Sequence, residues 1–146
     1  MIKKFIKYLI VIFLAVIGYN YFYCDNYYNY GCDTVYTFGE KGRIQIDVLT
    51  KNKRYIVTDV SKKFVIDYIS KYDGPFILGN KLYLKGDAGL YVVQKEPFRI
   101  MYININNNDN QLDRLKKEYS KKCLSVYSSI KNLDEDDNKK LAKLIN

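Results

Sequence analysis

Lys81-Leu82-Tyr83-Leu84-Lys85-Gly86-Asp87-Ala88-Gly89-Leu90-Tyr91-Val92-Val93-Gln94 is the stretch whose reading decides the fold. Two runs of branched and aromatic side chains flank a four-residue turn with glycine at both ends. That is the pattern of a β-hairpin: the runs suit a pleated surface, and the glycines allow the tight reversal. Working outward, Phe76-Ile77-Leu78 precedes the hairpin across the turn Gly79-Asn80. A further strand, 98–105, follows the break at Pro97. Upstream, 35–38, 43–49 and 54–59 read as strands, separated by the turns Gly39-Glu40-Lys41-Gly42 and Lys51-Asn52-Lys53.

Between these two groups of strands, 61–73 is ambiguous. Phe64-Val65-Ile66-Asp67-Tyr68-Ile69 suits a strand by residue type, yet Val60, Phe64, Val65, Tyr68, Ile69 and Tyr72 fall on one helical stripe. Ser61 is placed as an N-cap, Val60 and Val65 as a hydrophobic staple, and Gly74-Pro75 as a stop. The spacing therefore predicts a helix here. After the polar loop 106–110, Leu112, Leu115, Tyr119, Cys123, Val126 and Ile130 recur at steps of three and four, the stripe of a long amphipathic helix. Asp134 then caps a short final helix with Leu141, Leu144 and Ile145 inside, its acidic first turn complementing the helix dipole. Strands, helix, strands, helices predict an α+β domain: a small antiparallel sheet, one crossing helix and a C-terminal amphipathic helix pair.

The N-terminus reads differently. Met1-Ile2-Lys3-Lys4-Phe5-Ile6-Lys7 is a basic leader, and Tyr8 to Ile17 follows without a charge. This is the layout of a secretory signal or of a membrane anchor that leaves its lysines in the cytoplasm. The uninterrupted core has the length of a signal's apolar region, and cleavage after Gly18 is conceivable. Residues 5–23 reach spanning length if Lys7 snorkels, with Phe5, Leu9, Ile12, Phe13, Val16, Tyr19 and Tyr21 as anchor residues and tyrosines at the outer interface. Phe22 and Tyr23 before Cys24 exclude a lipobox, which needs small residues. The expected organisation is 1–23 as signal-anchor or signal peptide, 24–33 as a Tyr/Asn-rich linker, and 34–146 as one extracytoplasmic domain. The bacterial inner membrane follows as the location, or secretion to the periplasm if the leader is removed.

Composition bounds the chemistry. The net charge is +8 over 146 residues, but three of those charges lie in the leader, leaving +5. Arginine, the residue suited to phosphate forks, occurs only at Arg43, Arg54, Arg99 and Arg114. The abundance of Lys, Ile, Asn and Tyr reads first as codon bias, so nucleic acid is not an expected partner. Histidine is absent, which removes the commonest general base and zinc ligand, and with it serine–histidine and cysteine–histidine catalysis. No phosphate-binding glycine loop occurs. Asp47, Asp59 and Asp67 are the candidates for carboxylate-dependent hydrolysis, although the alternation of its strand puts Asp47 on a solvated face. Asp134 to Asp137 lack the spacing of a calcium loop, so neither metal nor cofactor is expected. Of the three cysteines, Cys32 and Cys123 are the favoured disulfide on an oxidising side of the membrane, with Cys24–Cys32 as the alternative. Lys116, Lys117, Lys121 and Lys122 form a candidate basic contact face on the long helix.

These eliminations leave a small exported or anchored protein that acts by protein–protein contact, in its most concrete form an immunity or inhibitor protein against a toxin. A structural or accessory subunit of an envelope complex is the alternative class, and a carboxylate-dependent hydrolase the third.

Overall fold

A computed structural model describes residues 1–26, 33–49, 54–70 and 76–145, with side chains in all of these except 20–26, 33, 49 and 76–78. The order is α1 (Ile2–Asn26), β1 (Asp33–Phe38), β2 (Ile44–Leu49), β3 (Arg54–Asp59), β4 (Phe64–Ile69), β5 (Phe76–Leu78), β6 (Lys81–Lys85), β7 (Leu90–Lys95), β8 (Phe98–Ile103), α2 (Asp109–Glu118), β9 (Leu124–Tyr127) and α3 (Glu135–Ile145). The α+β class stands, but the strands build two sheets rather than one. β1-β2-β3-β4 is an antiparallel meander, and β5-β6-β7-β8 is a second meander that β9 extends in parallel.

The hairpin that opened the sequence argument forms as read, with Lys81 opposite Gln94 and Lys85 opposite Leu90. The principal core lies between the sheets. Ile44, Ile46, Val57, Ile66 and Ile69 from the first meet Leu82, Leu84, Tyr91, Val93 and Tyr102 from the second, with Leu115 and Tyr119 of the α2 segment closing one side. The back of the second sheet has its own cluster, in which Tyr83, Leu90, Val92 and Ile103 are covered by Leu141 of α3. Each such buried side chain contributes about 1.5–3 kcal/mol of transfer free energy, so the layers follow from which strand faces are apolar.

Two expectations are corrected. The segment predicted as a crossing helix at 61–73 is strand β4, paired along β3. A bulge between Val57 and Thr58 lets two consecutive residues of β4, Ile66 and Asp67, both turn inward. The expected stripe is divided between the two faces of the sheet: Phe64 and Ile69 turn inward, whereas Val65 and Tyr68, opposite Thr58 and Ile56, turn outward. Ser61 is no helix cap: its amide and hydroxyl donate to Asp59 Oδ1 at 3.1 and 2.8 Å within the β3–β4 turn. The expected stop Gly74-Pro75, like the turn 51–53, lies outside the described residues.

The long helix is also broken. α2 ends at Glu118, Tyr119 is extended (φ −114, ψ 138), and the chain turns into β9 beside β8. Leu124-Ser125-Val126-Tyr127 is better suited to a strand, because serine and valine are poor helix formers. Ile100 N–H donates to Cys123 O and Asn104 N–H to Tyr127 O, so the strand is tied at both ends. The final helix is present as expected, with Asp134 accepting from Asp137 N–H at 2.9 Å.

The N-terminal helix is also there, and every side chain described in it is exposed. Among the described residues, however, no helix is long and apolar enough to cross a membrane. Lys3, Lys4 and Lys7 interrupt its first two turns.

Candidate functional site

Four of the acidic residues singled out in the sequence are not solvated. Asp47, Asp59, Asp67 and Asp137 are 1, 0, 5 and 1 % exposed. Asp47 is on the outer face of its sheet, as its alternation required. There it accepts from Thr34 Oγ1 at 2.7 Å and Gln45 Nε2 at 2.9 Å, which corrects the solvated-face reading. Asp59 and Asp67 lie on the inner face of the same sheet, so the fold does not gather the three carboxylates. Each is instead saturated by donors of its own, as a buried charge must be.

Three of the four share one device: a tyrosine hydroxyl from another element donates to the carboxylate at 2.7 Å, in the pairs Tyr119–Asp59, Tyr91–Asp67 and Tyr83–Asp137. Asp67 also accepts from Tyr68 N–H at 2.7 Å and Ala88 N–H at 3.0 Å. Gly86 is required beside it, since a Cβ there would overlap the carboxylate. The hairpin glycines therefore serve a buried contact as well as a turn. Gln111 of α2 donates to Tyr91 Oη at 2.8 Å and to Ile66 O at 2.6 Å, locking the helix onto the edge of the first sheet. Burial pushes the Asp67 carboxyl up, and its hydrogen bonds only partly offset this.

Asp59 forms the base of a different arrangement. Burial raises its carboxyl, but the bonds from Arg43, Tyr119 and Ser61 and the Arg43 charge together hold it below the usual carboxylate range. Arg43 reaches Asp59 with Nε and Nη2 at 3.1–3.3 Å and lies with its guanidinium 3.4 Å above the centre of the Phe98 ring. Around this base, three segments remote in sequence converge at one end of both sheets. The turn 39–43 touches 60–63 through Val60 N–H donating to Arg43 O at 2.8 Å. Lys62 Nζ donates to Glu118 O at 3.0 Å and lies 5.4 Å from the Tyr119 ring.

The result is a cationic end carrying Lys41, Lys62, Lys63, Lys116 and Lys121, flanked by Lys117 and Lys122. Two clefts indent it. One of about 460 Å³ is lined by Glu40, Lys41, Arg43, Val60 and Ser61, and one of about 230 Å³ by Lys116, Tyr119, Lys121, Leu124 and Val126. Of the four lysines expected on one helix face, Lys116 and Lys117 occupy the last turn of α2, and Lys121 and Lys122 the turn beyond it. All four are exposed.

Sequence reasoning missed Lys41, Lys62 and Lys63. The signal was available: Val60-Ser61-Lys62-Lys63 between two β-prone runs is a hairpin turn once 64–69 is a strand. Lys41 and Lys63 are left-handed, with φ of 54 and 52, a conformation that costs a side chain larger than glycine about 1 kcal/mol. Cys123 has a free thiol. Cys32 lies outside the described residues, as do the side chains of Cys24 and Tyr21.

Fold and site define a class: a two-sheet α+β protein with a cationic end assembled from three separate segments. No family model, curated protein or solved structure matches this chain.

Proposed function

We propose that this is a small envelope protein, carried to a bacterial inner membrane by its N-terminal helix, which works by protein–protein contact on the far side. Its most concrete form is an immunity or inhibitor protein that neutralises a toxin. The observation that carries this reading is the exposure of α1. Phe5, Leu9, Ile12, Phe13, Val16 and Tyr19 on one side of the helix are 50–67 % exposed, and Tyr8, Ile10, Val11, Leu14 and Ile17 on its other sides are 50–68 % exposed. A helix apolar on all sides is unfavourable in water and calls for lipid or a translocation channel around it. The three lysines at one end supply the orientation, held on the cytoplasmic side. The lysines that keep the helix below spanning apolarity are then placed at the headgroups, and the Tyr8–Ile17 core serves as an anchor or as a signal in transit.

Fractionation and protease treatment of spheroplasts test the topology: a C-terminal tag should be degraded in intact spheroplasts, and a protected tag overturns it. The immunity reading expects a toxin gene beside this one, and function is tested by exposing cells to that gene's product. Deletion of this chain's own gene should sensitise cells to it, and unchanged survival rejects the immunity reading. The runner-up, an accessory subunit docked through α1, draws on the same exposed helix. Replacing residues 1–23 by a cleavable signal separates the two, because an inhibitor keeps its activity and a docked subunit loses it.

A further inference from the structure

We infer that the cationic end of the two sheets is the partner-binding surface and that it takes an acidic face of another protein, an inference that rests on the contact-protein reading above. Three observations converge on it. First, Lys41 and Lys63 are set at the tips of adjacent turns in left-handed conformations where glycine or asparagine is the easier choice. Local backbone preference has been overridden twice at one place, and both times the outcome is an outward cation. Such local conflicts collect at functional sites.

Second, contacts run unbroken across this end. Lys41 and Ser61 line one cleft, Lys62 of the same turn bonds Glu118 O, and Lys116 and Lys121 line the next cleft with Tyr119. The surface is mounted on a rigid base, since Arg43 and Tyr119 are both fixed to buried Asp59. A preorganised row of cations loses little order on binding and speeds encounter with an acidic face.

Third, the side chains at this end favour a protein over nucleic acid. β1 starts at Asp33, opposite Val48, and reaches the cationic end only at Phe38, opposite Ile44. The cationic end is thus the end of the sheet opposite the one at which β1 begins. Tyr119 is only 4 % exposed, Phe98 carries Arg43 over its face, and Phe64 packs edge-on against Tyr119 with Arg114 5.1 Å from its ring centre, so these rings are not offered as stacking platforms for bases. Exposed Val60 and Val126 add apolar contacts in the two clefts, as a protein interface requires.

The test uses the full-length chain in an uncharged detergent, with labelled poly-L-glutamate as the acidic probe. Lys41→Glu with Lys63→Glu should weaken binding by about tenfold or more at physiological salt. Lys131→Glu with Lys143→Glu, an equal change of charge on α3 and on the turn before it, should change it by less than about twofold. Equal loss in both pairs means that net charge alone is responsible and overturns the inference. Binding of an oligo-dT strand or of phosphatidylglycerol vesicles in preference to poly-L-glutamate through the same lysines overturns the choice of partner. Lys41→Gly and Lys63→Gly guard against misfolding: both should raise the melting temperature and still weaken binding, and unaltered binding rejects the surface. Because the assay does not depend on location, a chain that binds but is absent from membranes removes the tether and leaves this surface standing.

Discussion

At the residue scale, the buried carboxylates make opposite contributions to stability as pH changes. Asp59 is held below its ordinary value in the folded state, so its stabilisation is present above the unfolded pKa of 3.8 and is lost as pH falls through the folded one. Asp67 is raised, so the folded chain holds the extra proton; its contribution is present below 3.8 and fades as pH rises through the folded value. Urea titrations on the acid side should therefore show two opposite slopes. The stability difference between the native chain and Asp59→Asn shrinks as pH falls, whereas that for Asp67→Asn grows; parallel slopes would refute the assignment. A glycine pair gives a second test. Gly86→Ala should cost about 2–4 kcal/mol because its Cβ meets the Asp67 carboxylate. Gly79→Ala, at φ 58 with open space around it, should cost about 1 kcal/mol. Denaturant midpoints check both. The acids were legible in the sequence as candidates, but their partners were not. Asp59 lies 60 positions from Tyr119, and Asp137 54 from Tyr83, separations that no local period encodes.

At the scale of elements, the errors have a common origin. β4 carries the residue types of a strand and the spacing of a helix, and pairing with β3 divides that stripe, with Phe64 and Ile69 inward and Val65 and Tyr68 outward. The tail of the expected long helix likewise has helical spacing, yet Tyr119 leaves the helix and 124–127 finds the exposed edge of β8. In both cases the free backbone edge of a neighbouring strand decides, because pairing satisfies backbone groups that a short helix also satisfies but without burying the same side chains. The hairpin around Gly86 and the capped final helix were legible, since a turn and a cap are local chemistry. The turns of the cationic end belong to this scale too. Replacing Lys63 by glycine should stabilise the domain by about 0.5–1 kcal/mol through relief of the left-handed backbone, read as a higher urea midpoint. A loss of stability would show that the Lys63 side chain holds the turn.

Across the whole molecule, tyrosine–carboxylate bonds tie α2 and α3 to the sheets, and this sets the response to alkali. Burial raises the hydroxyls of Tyr83, Tyr91, Tyr102 and Tyr119, that of Tyr102 to about 12. The folded chain keeps protons that the unfolded chain releases from 10.0 upward, so this stabilisation is whole below that pH and lost as pH rises through the folded values. Phenolate absorbance and circular dichroism should therefore change together in alkali, and buried tyrosines that ionise before the fold is lost would contradict it. By itself, the sequence determined what depends on near neighbours: the class of the fold, most strand positions, the Gly86 hairpin, the last helix, and the apolar N-terminal segment with its lysines. Those follow from short-range periodicity, turn chemistry and hydropathy. Only the tertiary structure decided that there are two sheets, that β4 and β9 are strands, and that the acids are buried beneath tyrosines. It alone gathered Lys41, Lys63 and Lys116 at one end, because which edges and faces meet is a long-range competition for burial and hydrogen bonds.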